Sequence, residues 1–372
     1  MPTEPGSLAP ALLQLSEGRV VLSWLQQTDA GDHELRYGTV EREGVHSFEV
    51  AGRAEDLFAN WADRPGLHAL AGGGLAAHWL RRLGEGTYAY GAELLPLEPA
   101  GEPGTSSFWL HDDTSPTEHG FVTSVASLEA THFFWLDGRA MLEQEPMTLR
   151  AATADVRGAA ASELLDARVC ECCPTDVAVT SNGPVVVYRD RSLEEIRDIS
   201  IVRRVAGTWT APRPVASDGW RIEGCPVNGP GVDAAGDRVA VAWFTAADDR
   251  PRVQLALSAD AGDSFAEPLT LDAEKPVGRV DLQIVGDLVH VSWLGRRGGR
   301  GVILLATVPL DAVEATKPRV LATSSLGRSA GYPRIRIADG HLLLAWVEEV
   351  PGAASPESRV RLSRFPLDGV RP

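Results

Sequence analysis

Short apolar stretches that end in an aromatic residue punctuate the chain at even intervals. They are RVVLSWL to Trp24, LAAHWL at Trp79, HFFWLD at Trp135, VVVYRD at Tyr188, VAVAWF at Trp243, VHVSWL at Trp293 and LLLAWV at Trp346. Successive aromatics lie 55, 56, 53, 55, 50 and 53 residues apart. Self-similarity at one period is the signature of a repeat architecture and takes precedence over local readings. Each copy has the same grammar: a Pro- or Gly-containing turn, an alternating strand, a tight turn, the aromatic-ending strand, a polar loop, then a third alternating strand such as HELRYGTV or RVQLALSAD. A weaker fourth follows in most copies. Runs this short, alternating with period two between Gly and Pro, are strands of antiparallel sheets.

Four-stranded units of this length bury their faces only against neighbours. The pattern therefore predicts an all-β β-propeller of four-stranded antiparallel blades, with seven blades preferred and six the alternative if one copy is irregular. The expected blades of this single domain, 1–372, run roughly 8–50, 58–110, 111–165, 168–217, 223–272, 276–323 and 328–370. The last copy lacks an outer strand after Phe365. The aromatics are expected to pack between blades.

Counting back from each aromatic superposes the copies. Cys170 and Cys225 both lie 18 residues before their aromatics, and Asp63, His119 and Cys172 lie 16 before theirs. These positions are expected to begin the innermost strands, beside the central channel. The loops that follow the aromatics open onto the same rim and are polar: Asp137 and Arg139, then Arg189, Asp190, Arg191, Glu194, Glu195, Arg197 and Asp198. His111, Asp112, Asp113, Thr117 and Glu118 lead into the third copy, and Trp220, Arg221 and Asn228 into the fifth. The opposite rim has plain turns such as AGGG and SNG. Convergent polar groups in a concave mouth mark the cysteine-bearing rim as the functional one.

Four cysteines in 372 residues are too few to scaffold a fold, so VCECCPT and GCPVNGP concentrate sulfur at one place. Three readings stay open. Cys172 and Cys173 could form a vicinal disulfide with Cys170 paired to Cys225. Alternatively Cys170, Cys172, Cys173, Cys225 and His119 could hold a soft metal, copper or zinc. Or one thiol could do redox or nucleophilic work, its ionisation favoured by Arg189 and Arg191. Glu118, Asp176, Arg189 and Asn228 would orient such a site. A net charge of -16 argues against nucleic acid or an anionic membrane as partner. No apolar run reaches membrane-spanning length, and MPTEPGSLAP lacks a signal-peptide pattern. A monomer binding a small molecule, metal or glycan is expected, extracytoplasmic (periplasmic or secreted) if a leader has been removed.

SADAGDSF, Ser258 to Phe265, resembles the Asp-box S-x-D-x-G-x-x-W/F, and a degenerate trace remains at Gly207 and Trp209. Together with HDDTSPTEHGFV, WLDGRAM, YRDRSLEEIRDI and DGWRIEGCPVNGP, it makes most of the chain resemble bacterial sialidase-like BNR-repeat propellers. That resemblance implies an arginine triad for a substrate carboxylate, a tyrosine nucleophile with a glutamate partner, and an aspartate acid/base. Glu118, Asp112, Arg189, Arg191 and Tyr188 form the candidate catalytic set, with Asp113, Arg139, Arg334, Tyr88 and Tyr332 as further candidates. The family's (F/Y)-R-I-P segment is missing from the first copy, and YPRI at Tyr332 scrambles its order. The leading expectation is thus a propeller with a Cys/His ligand site, followed by a glycoside hydrolase acting on an anionic sugar, and then a protein-interaction platform without chemistry.

Overall fold

The aromatic-ending stretches are the second strands of seven sheets arranged as propeller blades. The computed structural model describes residues 3–15, 18–53, 56–97, 106–349 and 358–367. The expected blade segments at 16–17, 98–105, 350–357 and 368–370 lie outside the described residues. Blade one runs from Ser7–Gln14 through Val20–Gln27 and His33–Thr39 to Glu49–Arg53, all antiparallel, and the later blades repeat this meander. The outer position is split in blade three (Gly158–Ala159, Glu163–Asp166) and in blade four (Thr208–Trp209, Arg213–Pro214). The fold is all-β, and among the described residues its helical elements are three-residue 3-10 turns. Among the described residues, no helix is long and apolar enough to cross a membrane.

The second strands are apolar without alternation because blades cover both their faces. Thr131–Asp137 is buried at every position, and Trp135, Trp243 and Trp293 are fully enclosed. Burying an indole or phenol requires a partner for its polar tip. Trp243 Nε1 donates to Asp218 at 2.6 Å, Trp293 Nε1 to Asp272 at 2.7 Å, and Tyr188 Oη to Asp166 at 2.5 Å.

Carboxylates near the channel stitch blade to blade. Phe121, Val232, Ile284 and Ile335 donate their backbone N–H to Asp63, Asp176, Asp233 and Asp281 of the preceding or adjacent blade, at 2.7 to 2.9 Å. Each bond satisfies a buried donor that no sheet ladder reaches.

Among the described residues, blade seven contributes Arg334–Ala338, His341–Glu349 and Ser358–Pro366. The start of the chain takes its fourth position. Thr3 N–H donates to the Val360 carbonyl at 2.9 Å, Gly6 N–H to Ser358 at 2.8 Å, and Val360 N–H to Ser7 Oγ at 2.8 Å. The ring is thereby closed by backbone pairing between the first residues and the last blade.

Candidate functional site

The segments VCECCPT and GCPVNGP approach each other at the mouth of blades four and five. Cys170 is fixed first: its N–H donates to the Arg189 carbonyl at 3.0 Å, extending the edge of the second strand of blade four. That strand's partner, the innermost strand, begins only at Asp176, so Cys172 precedes it rather than opening it as expected. Gly229 lies so close to the Pro174 carbonyl that a Cβ would collide with it. Asn228 locks the second segment, accepting from Arg279 N–H at 2.8 Å and donating to the Val277 carbonyl at 3.2 Å.

The four sulfurs are brought together, but not in the expected pairing. Cys172 and Cys225 form a disulfide with Cα atoms 6.0 Å apart, and Cys170 and Cys173 are buried free thiols. The vicinal Cys172–Cys173 and the Cys170–Cys225 pairings are corrected accordingly. The reason is direction: Cys170 is tied inward to blade four and is 0% exposed, whereas half-buried Cys172 turns towards exposed Cys225. The sulfurs of Cys170, Cys172 and Cys173 all lie within 4.8 Å of one another, and Cys170 Sγ is 3.9 Å from Cys172 Sγ. Ligation of a metal by all four thiolates would require that disulfide to be reduced.

Two guanidinium groups face the free thiols. Arg197 Nη1 donates to Cys170 Sγ at 3.4 Å and to Glu171 at 2.8 Å, and its Nη2 to Glu195 at 2.9 Å. Arg191 braces the same two carboxylates. Arg189 is buried and donates to three backbone carbonyls, of Asn228 at 2.8 Å, Arg197 at 2.6 Å and Phe244 at 2.7 Å, with its cation 4.8 Å over the Trp220 ring. Burial opposes ionisation of Cys170, but the Cys173 thiol, the Cys172 N–H and the charges of Arg189 and Arg197 outweigh it and lower its pKa to about 7. Burial and the neighbouring Cys170 push the Cys173 thiol up instead.

His119 is placed in a separate network. Its ring stands 3.3 Å from both Asp113 and Asp137 and stacks on His111 at 4.3 Å. Asp112 is an exposed partner of Arg139 at 2.8 Å. Tyr188 is fully buried with its hydroxyl on Asp166 of blade three, and Tyr88 is exposed on the surface. Tyr332 is buried, donating to the Val227 carbonyl at 2.6 Å.

Glu118 acquires a partner that sequence reasoning missed. Tyr90 Oη donates to its Oε1 at 2.5 Å. Burial raises Glu118 to about 8 and the neighbouring Asp63 to about 7. The alternation in TYAYGAEL does not single out Tyr90, since it pairs it with Tyr88, which lies outside the strand and is exposed. Of Tyr90, Glu118 and Asp63, the last lines a channel cavity of ≈ 360 Å³, together with Arg64, Asp176, Arg334 and Arg336 among others, while Tyr90 and Glu118 lie buried behind it. Asp281 pairs with Arg334 and Arg336 at 3.3 Å each, while Arg64 Nη1 is buried without a hydrogen-bond partner. The Asp-box stretch forms the outer hairpin of blade five, where Asp260 accepts from Ser258 Oγ at 2.7 Å and from Ser264 N–H at 2.8 Å.

No known family model matches this sequence, and no curated protein matches it. Solved structures do share its architecture. An ulvan lyase of a polysaccharide lyase family superposes with a TM-score of 0.62 at 10% identity, covering 99% of this chain and 97% of that one. A protein of unknown function from Dyadobacter fermentans gives 0.53 at 13% identity, over 97% and 95% of the two chains. The endosialidase of phage phi92 gives 0.54 at 10% identity, over 96% of this chain and 67% of that one. At these identities the likeness establishes the propeller alone.

Proposed function

We propose that this propeller works by thiol–disulfide exchange at the mouth of blades four and five. The observation that carries the reading is the position of Cys170. A buried thiol, bonded to one guanidinium and near another, sits 3.9 Å from a sulfur of the Cys172–Cys225 disulfide. Thiolates are the attacking species in such exchange, and cations favour them. Cys225 is the exposed sulfur, so it is where an external thiol meets the site. The attacking thiolate bonds to Cys225 Sγ and displaces Cys172 as a thiolate. Persistence of a disulfide fits an oxidising compartment, which supports placing the chain outside the cytoplasm.

Incubation with reduced glutathione, acid quenching and peptide mapping test this. A mixed disulfide at Cys225, absent from Cys225→Ser, is the expected result. A disulfide inert to glutathione in the folded protein overturns the reading. Metal analysis of the reduced protein would reveal copper or zinc bound by the same sulfurs.

The Tyr90–Glu118 bond beside Asp63, together with the arginine-lined channel, favours a second reading as a glycan-active propeller. Two carboxyl groups near neutrality and a tyrosine suit acid/base work, and Arg64, whose Nη1 lacks a hydrogen-bond partner although its guanidinium lies over the Tyr332 ring, suits an acidic sugar. The ulvan lyase neighbour was solved with a chain of GlcA and Rha3S bound. Turnover of uronate- or sialate-containing glycans that is lost in Glu118→Gln supports this reading; no turnover of either class removes it.

A further inference from the structure

Resting on the thiol–disulfide reading, the arrangement of sulfurs carries one step more. We infer that the four cysteines act as two coupled pairs, an outer pair Cys172/Cys225 and an inner pair Cys170/Cys173, between which a single disulfide migrates.

The geometry behind this is that Cys172 belongs to both neighbourhoods. It is bonded to exposed Cys225, yet its sulfur lies with those of Cys170 and Cys173 in a group no wider than 4.8 Å. The inner pair has C-x-x-C spacing and is closed to solvent, Cys170 at 0% and Cys173 at 1% exposure. No external thiol or disulfide reaches the inner pair directly. Redox traffic with it must pass through Cys172.

The migration balances without an oxidant. The Cys170 thiolate attacks Cys172 Sγ; the Cys170–Cys172 bond forms, the Cys172–Cys225 bond breaks, and its electron pair leaves on Cys225, which takes a proton from water. Cys173 then attacks Cys170 Sγ, its proton passing to the displaced Cys172. The disulfide has moved inward to Cys170–Cys173, leaving thiols at Cys172 and Cys225. Exposed Cys225 can next attack a disulfide-bonded substrate, releasing one thiol. Cys172 closes on Cys225 to release the second. The protein ends with two disulfides and the substrate with two thiols, the two electrons having come from the inner pair. The substrate class is therefore a disulfide, small or peptidic, reduced at the propeller mouth. In the reverse direction a dithiol is oxidised.

The test is maleimide labelling of native protein carrying one disulfide, without reductant, followed by peptide mapping. Wild type should label at Cys225 and retain a Cys170–Cys173 disulfide. Cys170→Ser should label Cys225 at least tenfold more slowly. Cys173→Ser, which permits only the first step, should trap Cys170–Cys172 and keeps the test decisive if Cys170→Ser fails to fold. No Cys225 labelling in wild type, or equal labelling in Cys170→Ser, overturns migration. If glutathione still forms its mixed disulfide at Cys225, only this inference falls; if that too is absent, the thiol–disulfide reading falls with it.

Discussion

Replacing Arg197 with Met should raise the Cys170 pKa by about one to two pH units. Arg197 is nearly enclosed, with 4% of its side chain exposed, and its Nη1 lies 3.4 Å from Cys170 Sγ. A hydrogen bond to a charged group is worth about 1.5–3 kcal/mol, which at ~1.36 kcal/mol per unit is roughly one to two pH units. Glu171 and Glu195 keep their bonds to Arg191, so the loop should hold its shape. The thiolate share at pH 7 would fall from about one half to between about one tenth and one hundredth.

The assay is ultraviolet absorbance of the thiolate during pH titration in a Cys172→Ser, Cys225→Ser background, in which Cys170 and Cys173 are the only thiols and no disulfide can migrate. Arg197→Lys should recover part of the shift, since it returns the charge without the planar fork. The same linkage acts on stability. A depressed thiol pKa contributes stability that is complete above the unfolded thiol's pKa and is lost as pH falls through the folded value, so wild type should gain about 2 kcal/mol between pH 7 and 9 and lose it as pH falls through 7. A midpoint in Arg197→Met at or below that of wild type would refute the electrostatic account.

Three further outcomes follow from the same structure. Reducing the Cys172–Cys225 bond, which spans 53 residues, should cost about 4 kcal/mol of unfolding free energy in denaturant melts by loop-closure entropy. Arg189→Met, which strands three buried carbonyls, should cost about 3–5 kcal/mol in the same melts. Glu118 carries a raised pKa, so the native state loses stability as pH climbs from the unfolded carboxyl range through about 8. Glu118→Gln keeps an acceptor for Tyr90 without the buried charge and should exceed wild type by about 2–4 kcal/mol at pH 9, with the gap closing near pH 5.

The blade rhythm was legible because one physical demand, a second strand covered on both faces, recurs in every blade and selects the same apolar, aromatic-ending run. The gathering of sulfur was legible for the same reason: equal offsets from Tyr188 and Trp243 put Cys170 and Cys225 in the segments that lead into neighbouring innermost strands, although Cys170 is buried there and Cys225 exposed. Side-chain direction is not carried by an offset. Whether Cys170 or Cys172 reaches blade five depends on a single backbone bond to Arg189, and the period is blind to it. His119 shares its offset with Cys172 but is claimed by Asp113 and Asp137, carboxylates on other loops. Thr3 and Gly6 pair with Val360 and Ser358, more than 350 residues away, and nothing local to either stretch names the other.

That closure has a consequence for how the molecule is made. Ser7 Oγ must wait for the N–H of Val360, 353 residues later, so during synthesis the earliest stretch emerges long before its neighbour exists. The Cys172–Cys225 link joins the middle of the circle and requires no such delay. A bulky domain inserted beside Thr3 would hang from the seam itself, whereas one inserted in a loop of another blade would leave the circle to shut unhindered.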